Sequence, residues 1–523
     1  MVSCAVICGN IQAQNFREAE INAKVANEGF NRCMEFTRAW LDVADPDSKL
    51  IPRNLKESRH FWNAYDAAAD NYAFMVLTAA ILDTNLLNTV MKEMLDNEIR
   101  LSSRVGRLPD SYSFIKKSFL KDSVDMDQII FGSAEYMKDG LIPLTEWMGN
   151  SPWSKRLLGI LDDLHKEIEV VKEIKGNYYG KSPVVEVNGD LLQVLSRMYW
   201  FTGNKTYLDW AIKIGDHYLL EGNLPTKKLD YLRMRDHGCE IIGGLSELYV
   251  TLHFINPEKK QKYQMPLYEM LDRILDIGRN EDGFFFNAVN PKTGVVIDSA
   301  VADTWGYTLN SYYSIYLIDK KEEYRQAVLK PLQNLSKYTN YMWEGMSSDG
   351  YADAIESALN LYNREPDSVI KNWIESEIKV MWAKQQPTGI IEGWHGDGNF
   401  TRTTLMYCLW KTQGTVVHPW RNSLYFGAER NGKSIRVSLS SDSSWDGNLI
   451  FDKPRHAQIM KMPIDYPRIN QFPEWFTVSA GKKYRVKNIS NFSEKIYTGE
   501  DLQKGLPLIL QANKKVMLEI IPL

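Results

Sequence analysis

A carboxylate pair one helical turn apart recurs along this chain, repeatedly beside aromatic residues or glycine. Asp66 and Asp70 stand in F-W-N-A-Y-D-A-A-A-D-N-Y, and Glu135 and Asp139 in F-G-S-A-E-Y-M-K-D-G. Asp236 and Glu240 stand in R-M-R-D-H-G-C-E, and Asp349 and Asp353 in D-G-Y-A-D-A-I-E. On a helix, residues four apart project from one face. Like charges on one face repel, and burying them is costly unless something compensates. A helical ring that points acids and aromatics into one sugar-binding cleft gives the pattern a purpose.

Apolar periodicity supports such a ring. Helical segments are expected over 18–44, 61–95, 127–148, 154–174, 190–202, 207–220, 238–254, 267–277, 304–317, 322–338, 352–361, 368–384 and 401–411. They alternate between short, charged turns and longer loops rich in Gly, Asp and aromatics, such as E-D-G-F-F-F-N and G-I-I-E-G-W-H-G-D-G-N. The long loops precede alternate helices and carry the acids, which places the unusual residues at the N-termini of the inner helices. Asp190, in V-N-G-D-L-L, is read as a helix cap. The expected fold is mainly α, an (α/α) toroid of six or seven hairpins over 15–420.

The period changes after residue 420. S-L-Y-F-G-A-E-R-N-G-K-S-I-R-V-S-L-S alternates and turns at Asn431-Gly432, and F-T-V-S-A-G-K-K-Y-R-V-K-N-I turns at Ala480-Gly481. The chain ends on the strand-like K-K-V-M-L-E-I-I-P-L. Residues 421–523 are therefore expected to form an antiparallel β-sandwich.

The net charge of −4 and the lack of a basic run speak against nucleic acid as a partner. Beyond the N-terminus, no stretch reaches the ~20 apolar residues of a membrane span. Residues 1–14 read as the remnant of a secretory signal, with a lipidation reading open at Cys4. Export to the periplasm or cell surface of a bacterium is the expectation. Cys33, Cys239 and Cys408 have no metal-ligand spacing, and neither a metal nor a cofactor is expected. Nucleotide, zinc-protease and serine-hydrolase motifs are absent.

Four segments concentrate the chemistry. L-R-M-R-D-H-G-C-E brings Arg233, Arg235, Asp236 and His237 together; the arginines can hold an anionic group and His237 can carry a proton. A-D-T-W-G-Y sets Asp303 before Trp305 and Tyr307, a carboxylate beside a sugar platform. D-G-Y-A-D-A-I-E adds Tyr351, Asp353 and Glu356 in surroundings too apolar for a solvated face. G-W-H-G-D-G-N-F-T-R offers Trp394, His395, Asp397 and Arg402 on a glycine-rich loop. Trp62 with Asp66, and Glu135 with Asp139, complete the rim. Helix capping by Asp236 and Asp303 is the bland alternative for those two.

The segments H-G-C-E-I-I-G-G-L, A-D-T-W-G-Y, D-G-Y-A-D-A-I-E and G-W-H-G-D-G-N-F-T-R resemble those of six-hairpin glycosidase-like proteins, and the chain over 50–415 is similar to glycoside hydrolase family 154. That resemblance implies β-glucuronidase activity on a toroid with an attached β-domain. The expected function is exo-acting hydrolysis of uronic-acid-containing glycans, with an oligosaccharide or polysaccharide as partner; assembly into a homo-oligomer is left open. The catalytic pool is Asp303, Asp236, Glu135 and Asp353, with His237 and His395 as secondary proton carriers. Arg233, Arg235 and Arg402 are candidates for the substrate carboxylate. The rivals are a polysaccharide lyase, an unsaturated glucuronyl hydrolase, and a glycan-binding protein without catalysis.

Overall fold

The computed structural model describes residues 16–175 and 183–523, so the export segment at 1–14 lies outside the described residues. Helices of the inner wall follow one another round a ring. Ala64–Tyr72 and Ala73–Leu82 come first, then Met126–Glu135 continued by Tyr136–Leu141 and Ile142–Met148. Pro183–Thr202, Glu240–Ile255, Trp305–Asp319, Ser348–Tyr362 and Asn399–Lys411 follow. Each packs on the next, and Asn399–Lys411 returns to Ala73–Leu82. An outer helix stands behind each, and the first among the described residues, Arg17–Asp42, backs the last inner one. The protein is a mainly helical (α/α) toroid with β-sheets.

Sequence explains the two layers. Glu240–Ile255 is buried along nearly its whole length because its surface is apolar on every side. The outer helix Pro152–Glu167 buries a stripe through Trp153, Leu157, Ile160, Leu161 and Leu164, and its buried Arg156 and Asp163 are paired with Glu98 and Arg107. Gly189 lets Pro183–Thr202 and Glu240–Ile255 cross closely, since a Cβ there would stand 2.4 Å from the carbonyl carbon of Glu240. Ala64–Tyr72 and Tyr136–Leu141 are π-helical and pack on each other. Such wide turns re-aim side chains and recur at functional sites; here they carry Asp66, Asp70, Lys138 and Asp139.

Two antiparallel sheets follow the ring. One has strand order Leu424–Asn431, Ser434–Ser441, Lys515–Pro522, Lys483–Asn488, Ser493–Thr498; the other has Leu506–Leu510, Trp445–Ile450, Val416–His418. The expected hairpin at Asn431-Gly432 forms. Arg17–Asp42 lies against Leu424–Asn431, where Asn22 Nδ2 donates to the Ala428 carbonyl at 2.9 Å. Between the sheets' strands, the segment around 465–472 enters the ring beside the C-terminal halves of the inner helices. Arg468 donates to Glu146 at 2.7 and 3.1 Å, Arg197 donates to Glu247 at 2.7 and 2.9 Å, and the Asn470 N–H donates to Glu356 at 2.7 Å.

Several sequence expectations need correction. The run 61–95 is not one helix, because the Asp83 side chain accepts from the N–H groups of Asn85 and Leu86 and starts a new one. Asp190 caps nothing: Pro183 opens its helix and Asp190 lies buried inside it. Phe286–Val289 and Val296–Val301, within an expected loop, pair as a hairpin. No hairpin forms at Ala480-Gly481; Thr477 bridges Asp452, while Lys483–Asn488 pairs with Ser493–Thr498 and Lys515–Pro522. Val416–His418 joins a sheet ahead of residue 421.

Candidate functional site

The N-terminal ends of the inner helices surround a cavity of about 800 Å³, and a smaller chamber of about 60 Å³ lies beneath it. Asp70, Asp236, Asp349 and His395 line both. Asp66, Glu135, Arg233, Arg235, Trp394 and Asp397 line the upper cavity alone. Asp139, Tyr307, Asp353 and Arg402 line the lower chamber, with Lys138, Glu240 and Ile469. Residues from seven stretches of chain, from Asp66 to Ile469, thus meet in one bowl.

Other expected residues lie elsewhere. Trp62 and Trp305 are buried core, and Tyr351 is buried with its hydroxyl donating to the Tyr341 carbonyl at 2.7 Å. None lines either space, since their large rings fill the interior between helices. Glu356 is wholly buried beneath the chamber, where it accepts from the Tyr307 hydroxyl at 2.7 Å and pairs with Arg402 at 2.9 Å. Asp303 is buried outside both linings and accepts from the Thr304 N–H at 3.0 Å. The His237 side chain lies outside the described residues.

Local structure sets each acid. Asp236 has a left-handed backbone with φ of 49°, a conformation retained in non-glycine residues where surrounding structure enforces it. Its N–H donates to Thr304 Oγ1 at 2.9 Å and its carboxylate pairs with Arg233. No capping bond from Asp236 opens the helix at Glu240. Asp349 sits in the first turn of Ser348–Tyr362 and accepts from Asn399 Nδ2 at 2.8 Å. The loop at 393–398 rests on the first inner helix, and Gly398 permits that contact: a Cβ there would stand 2.3 Å from the Asp70 carbonyl oxygen. Trp394 stays 70% exposed at the rim, with the Arg53 guanidinium 5.1 Å from its ring.

The crowding of acids shows in their protonation. Burial, then the charges of Asp353 and Asp397, push the Asp349 carboxyl well above its ordinary value. Burial does the same to Asp303, reinforced by Asp353, and to Asp70, with His395 opposing. Burial lifts Asp353 to about 7 against the pull of Arg402, which donates to it at 2.6 Å. Glu240 also rises to about 7 through burial, with Lys138 at 2.6 Å pulling the other way. Burial alone would lower His395, but Asp66 and Asp70 outweigh it and raise the ring's pKa.

Glu240 makes a stability prediction. The folded protein holds a proton that the unfolded chain releases near the ordinary value of 4.5, and gives it up near 7. Stability therefore falls as pH rises from 4.5 to about 7. Glu240→Gln is expected to flatten that slope in urea midpoints measured across the window. A wild-type midpoint that climbs with pH there would contradict it.

Sequence reasoning missed Arg53, Lys138, Glu344, Lys384 and Asn470. Lys138 was visible as the lone cation between two acids in E-Y-M-K-D-G; the others come from loops with no periodic signal. Asn470, which has a left-handed φ of 60°, donates to Asp139 at 2.8 Å and accepts from Arg402 at 3.0 Å. It links the acids on two sides of the lower chamber.

Two clusters have metal-ligand composition: Asp66, Asp70 and His395, and His456, Asp465 and Glu474. The second already holds its own cations, since Asp465 pairs with Arg364 at 3.0 Å and Arg468 at 3.2 Å, and Glu474 accepts from His456 at 2.9 Å.

No family model matches this chain, and no curated protein matches it. Among solved structures, it is similar to a sugar epimerase from a ruminal bacterium at 11% identity, covering 58% of this chain and 84% of that one with a TM-score of 0.43. It is similar to the family 76 α-1,6-mannanase of Salegentibacter sp. HEL1_6 at 10% identity, covering 73% and 98% with a TM-score of 0.41. A family 76 glycoside hydrolase (mannosidase) of Bacteroides thetaiotaomicron gives 11%, 73% and 98%, with a TM-score of 0.42. Likeness at these scores fixes neither family nor substrate.

Proposed function

We propose that this protein is a glycoside hydrolase using carboxylate acid/base catalysis. The observation that carries the reading is that Asp236, ion-paired with Arg233, and Asp349, whose carboxyl burial raises, both line the two chambers. Asp236 is salt-bridged to Arg233 and serves as the carboxylate. Asp349, whose carboxyl burial keeps protonated, serves as the general acid. Glycosidic cleavage needs such a pair: a proton for the leaving oxygen and a carboxylate to activate water or attack the sugar. Asp353 and Glu135 line the chambers as further carboxyl groups, and the buried Asp303 lies behind them.

The substrate reading is an exo-acting cleavage of uronic-acid-containing glycans, β-glucuronides in particular. Arg402 is held by Asp353 and Glu356 in the floor, and Arg233 by Asp236. Arg235, with Glu344 at 3.5 Å, and Lys384, whose ammonium donates to the Met346 carbonyl at 2.7 Å, are the cavity cations placed for a uronate. A lyase is less favoured, because the Tyr307 hydroxyl donates to Asp353 and Glu356 and burial raises its pKa. A binding protein has no need of a burial-raised carboxyl beside an ion-paired one.

The architecture belongs to the same proposal. Seven inner helices among the described residues support a seven-hairpin toroid that carries the site, with a β-sandwich that takes its first strand from Val416–His418. Export rests on the composition of 1–14. No helix among the described residues is long and apolar enough to cross a membrane.

A panel of p-nitrophenyl glycosides and uronides tests the function. Release from a uronide by the wild type, lost in Asp236→Asn, is expected. An ultraviolet-absorbing unsaturated product would establish a lyase instead, and turnover by Asp236→Asn at the wild-type rate would remove that residue from the pair.

A further inference from the structure

We propose that Asp66, Asp70 and His395 form a site for a divalent cation of the Mn2+ or Zn2+ kind at the base of the large cavity, beside the buried Asp397. His395 Nε2 lies 3.8 Å from Asp66 Oδ1 and 3.7 Å from Asp70 Oδ2. These are too long for hydrogen bonds, which span about 2.7–3.2 Å. They suit ligands of one ion, because metal–ligand bonds of about 2.0–2.2 Å set neighbouring donor atoms roughly 3–4 Å apart. All three atoms lie within 4.8 Å of one another.

The surroundings prepare these atoms for a cation. His395 Nδ1 lies 3.0 Å from the Gly396 carbonyl oxygen, which can only accept, so Nδ1 carries the proton and Nε2 is the coordinating nitrogen. Arg53 and Asn63 both donate to Asp66 Oδ2, at 2.5 and 2.6 Å, and hold the carboxylate with Oδ1 toward the imidazole. This is how outer partners orient metal ligands.

Asp397 is the independent observation. It lines the same cavity and is only 4% exposed, and its Oδ1 has no hydrogen-bond partner among the described residues. A buried carboxylate oxygen without a donor is costly, and a cation removes that cost. One imidazole with two carboxylates, and a third beside them in Asp397, is a borderline donor set, which selects Mn2+ or Zn2+ over softer ions. The ion would keep positions open toward the large cavity for oxygens of a bound molecule. That use rests on the glycan reading above; the site itself does not.

Equilibrium dialysis of the chelator-stripped full chain against Mn2+ or Zn2+, with metal counted by mass spectrometry, tests the proposal without reference to activity. The wild type is expected to take up one ion per chain and to melt higher with it. His395→Asn and Asp70→Asn are each expected to weaken uptake by at least about tenfold while melting like the stripped wild type. Asp397→Asn gives a second, milder loss, and Glu474→Gln in the other cluster leaves uptake unchanged. Failure of the stripped wild type to bind either ion in stoichiometric amount, or uptake by His395→Asn equal to wild type, overturns it.

Discussion

Asp349→Asn is expected to lower kcat/KM on a cleavable aryl glycoside by about 10²–10⁴-fold, the usual contribution of a positioned general acid. Its melting temperature is expected to stay near the wild-type value. The substitution is nearly isosteric, and because burial keeps the native carboxyl protonated it removes no folded-state charge. The Asn399 amide that donates to Asp349 still finds a carbonyl oxygen in the variant. A substrate with a better leaving group should recover part of the loss, since it needs less protonation. Wild-type turnover by this variant would return the acid's role to Asp353 or Glu135. Sequence alone placed Asp303 in the catalytic pool. Its place outside both linings makes a smaller effect the expectation for Asp303→Asn.

The largest effect on stability is expected at Arg468. This buried guanidinium donates to both oxygens of Glu146 and to Asp465, and also to the Tyr466 carbonyl. Arg468→Ala leaves Glu146 buried with only Arg197 at 3.5 Å beside it. Breaking a buried pair by removing one partner costs about 3–5 kcal/mol. A fall of that size in unfolding free energy, with Glu146→Gln in the same background restoring part of it, is the expected result of denaturant titration. An unchanged midpoint would show that the segment around 465–472 does not depend on this contact.

What could be read from the sequence followed from periodicity. The inner and outer helices announced themselves by apolar spacing, and the acid pairs by their repetition beside aromatics. Asp236, Asp349 and His395 were visible for that reason. The aromatics were harder, because Trp62, Trp305 and Tyr351 carry the same letters whether they fill a core or stack on a sugar. Asp70 and Asp349 belonged to recognised pairs, yet spacing could not rank them above Asp66 and Asp353. Arg53, Lys384 and Asn470 come from irregular backbone, where no period tells direction. The run through Ala67–Ala69 and Phe74–Leu82 hid a helix break, since Asp83 is a single polar letter after a long apolar stretch.

The partnership of the first helix with the last part of the chain has a consequence for biosynthesis. Asn22 bonds to Ala428 across 406 positions, and Asn27 to Leu424 across 397. While ribosomes are still translating the middle of the message, Arg17–Asp42 can meet Ala73–Leu82 but still lacks Asn399–Lys411 and Leu424–Asn431, its larger partners. The annulus therefore closes late, and such long-range closure is slow and exposes sticky surface in the meantime. A nascent chain of this design gains from a chaperone that shields its leading helix until the final strands emerge.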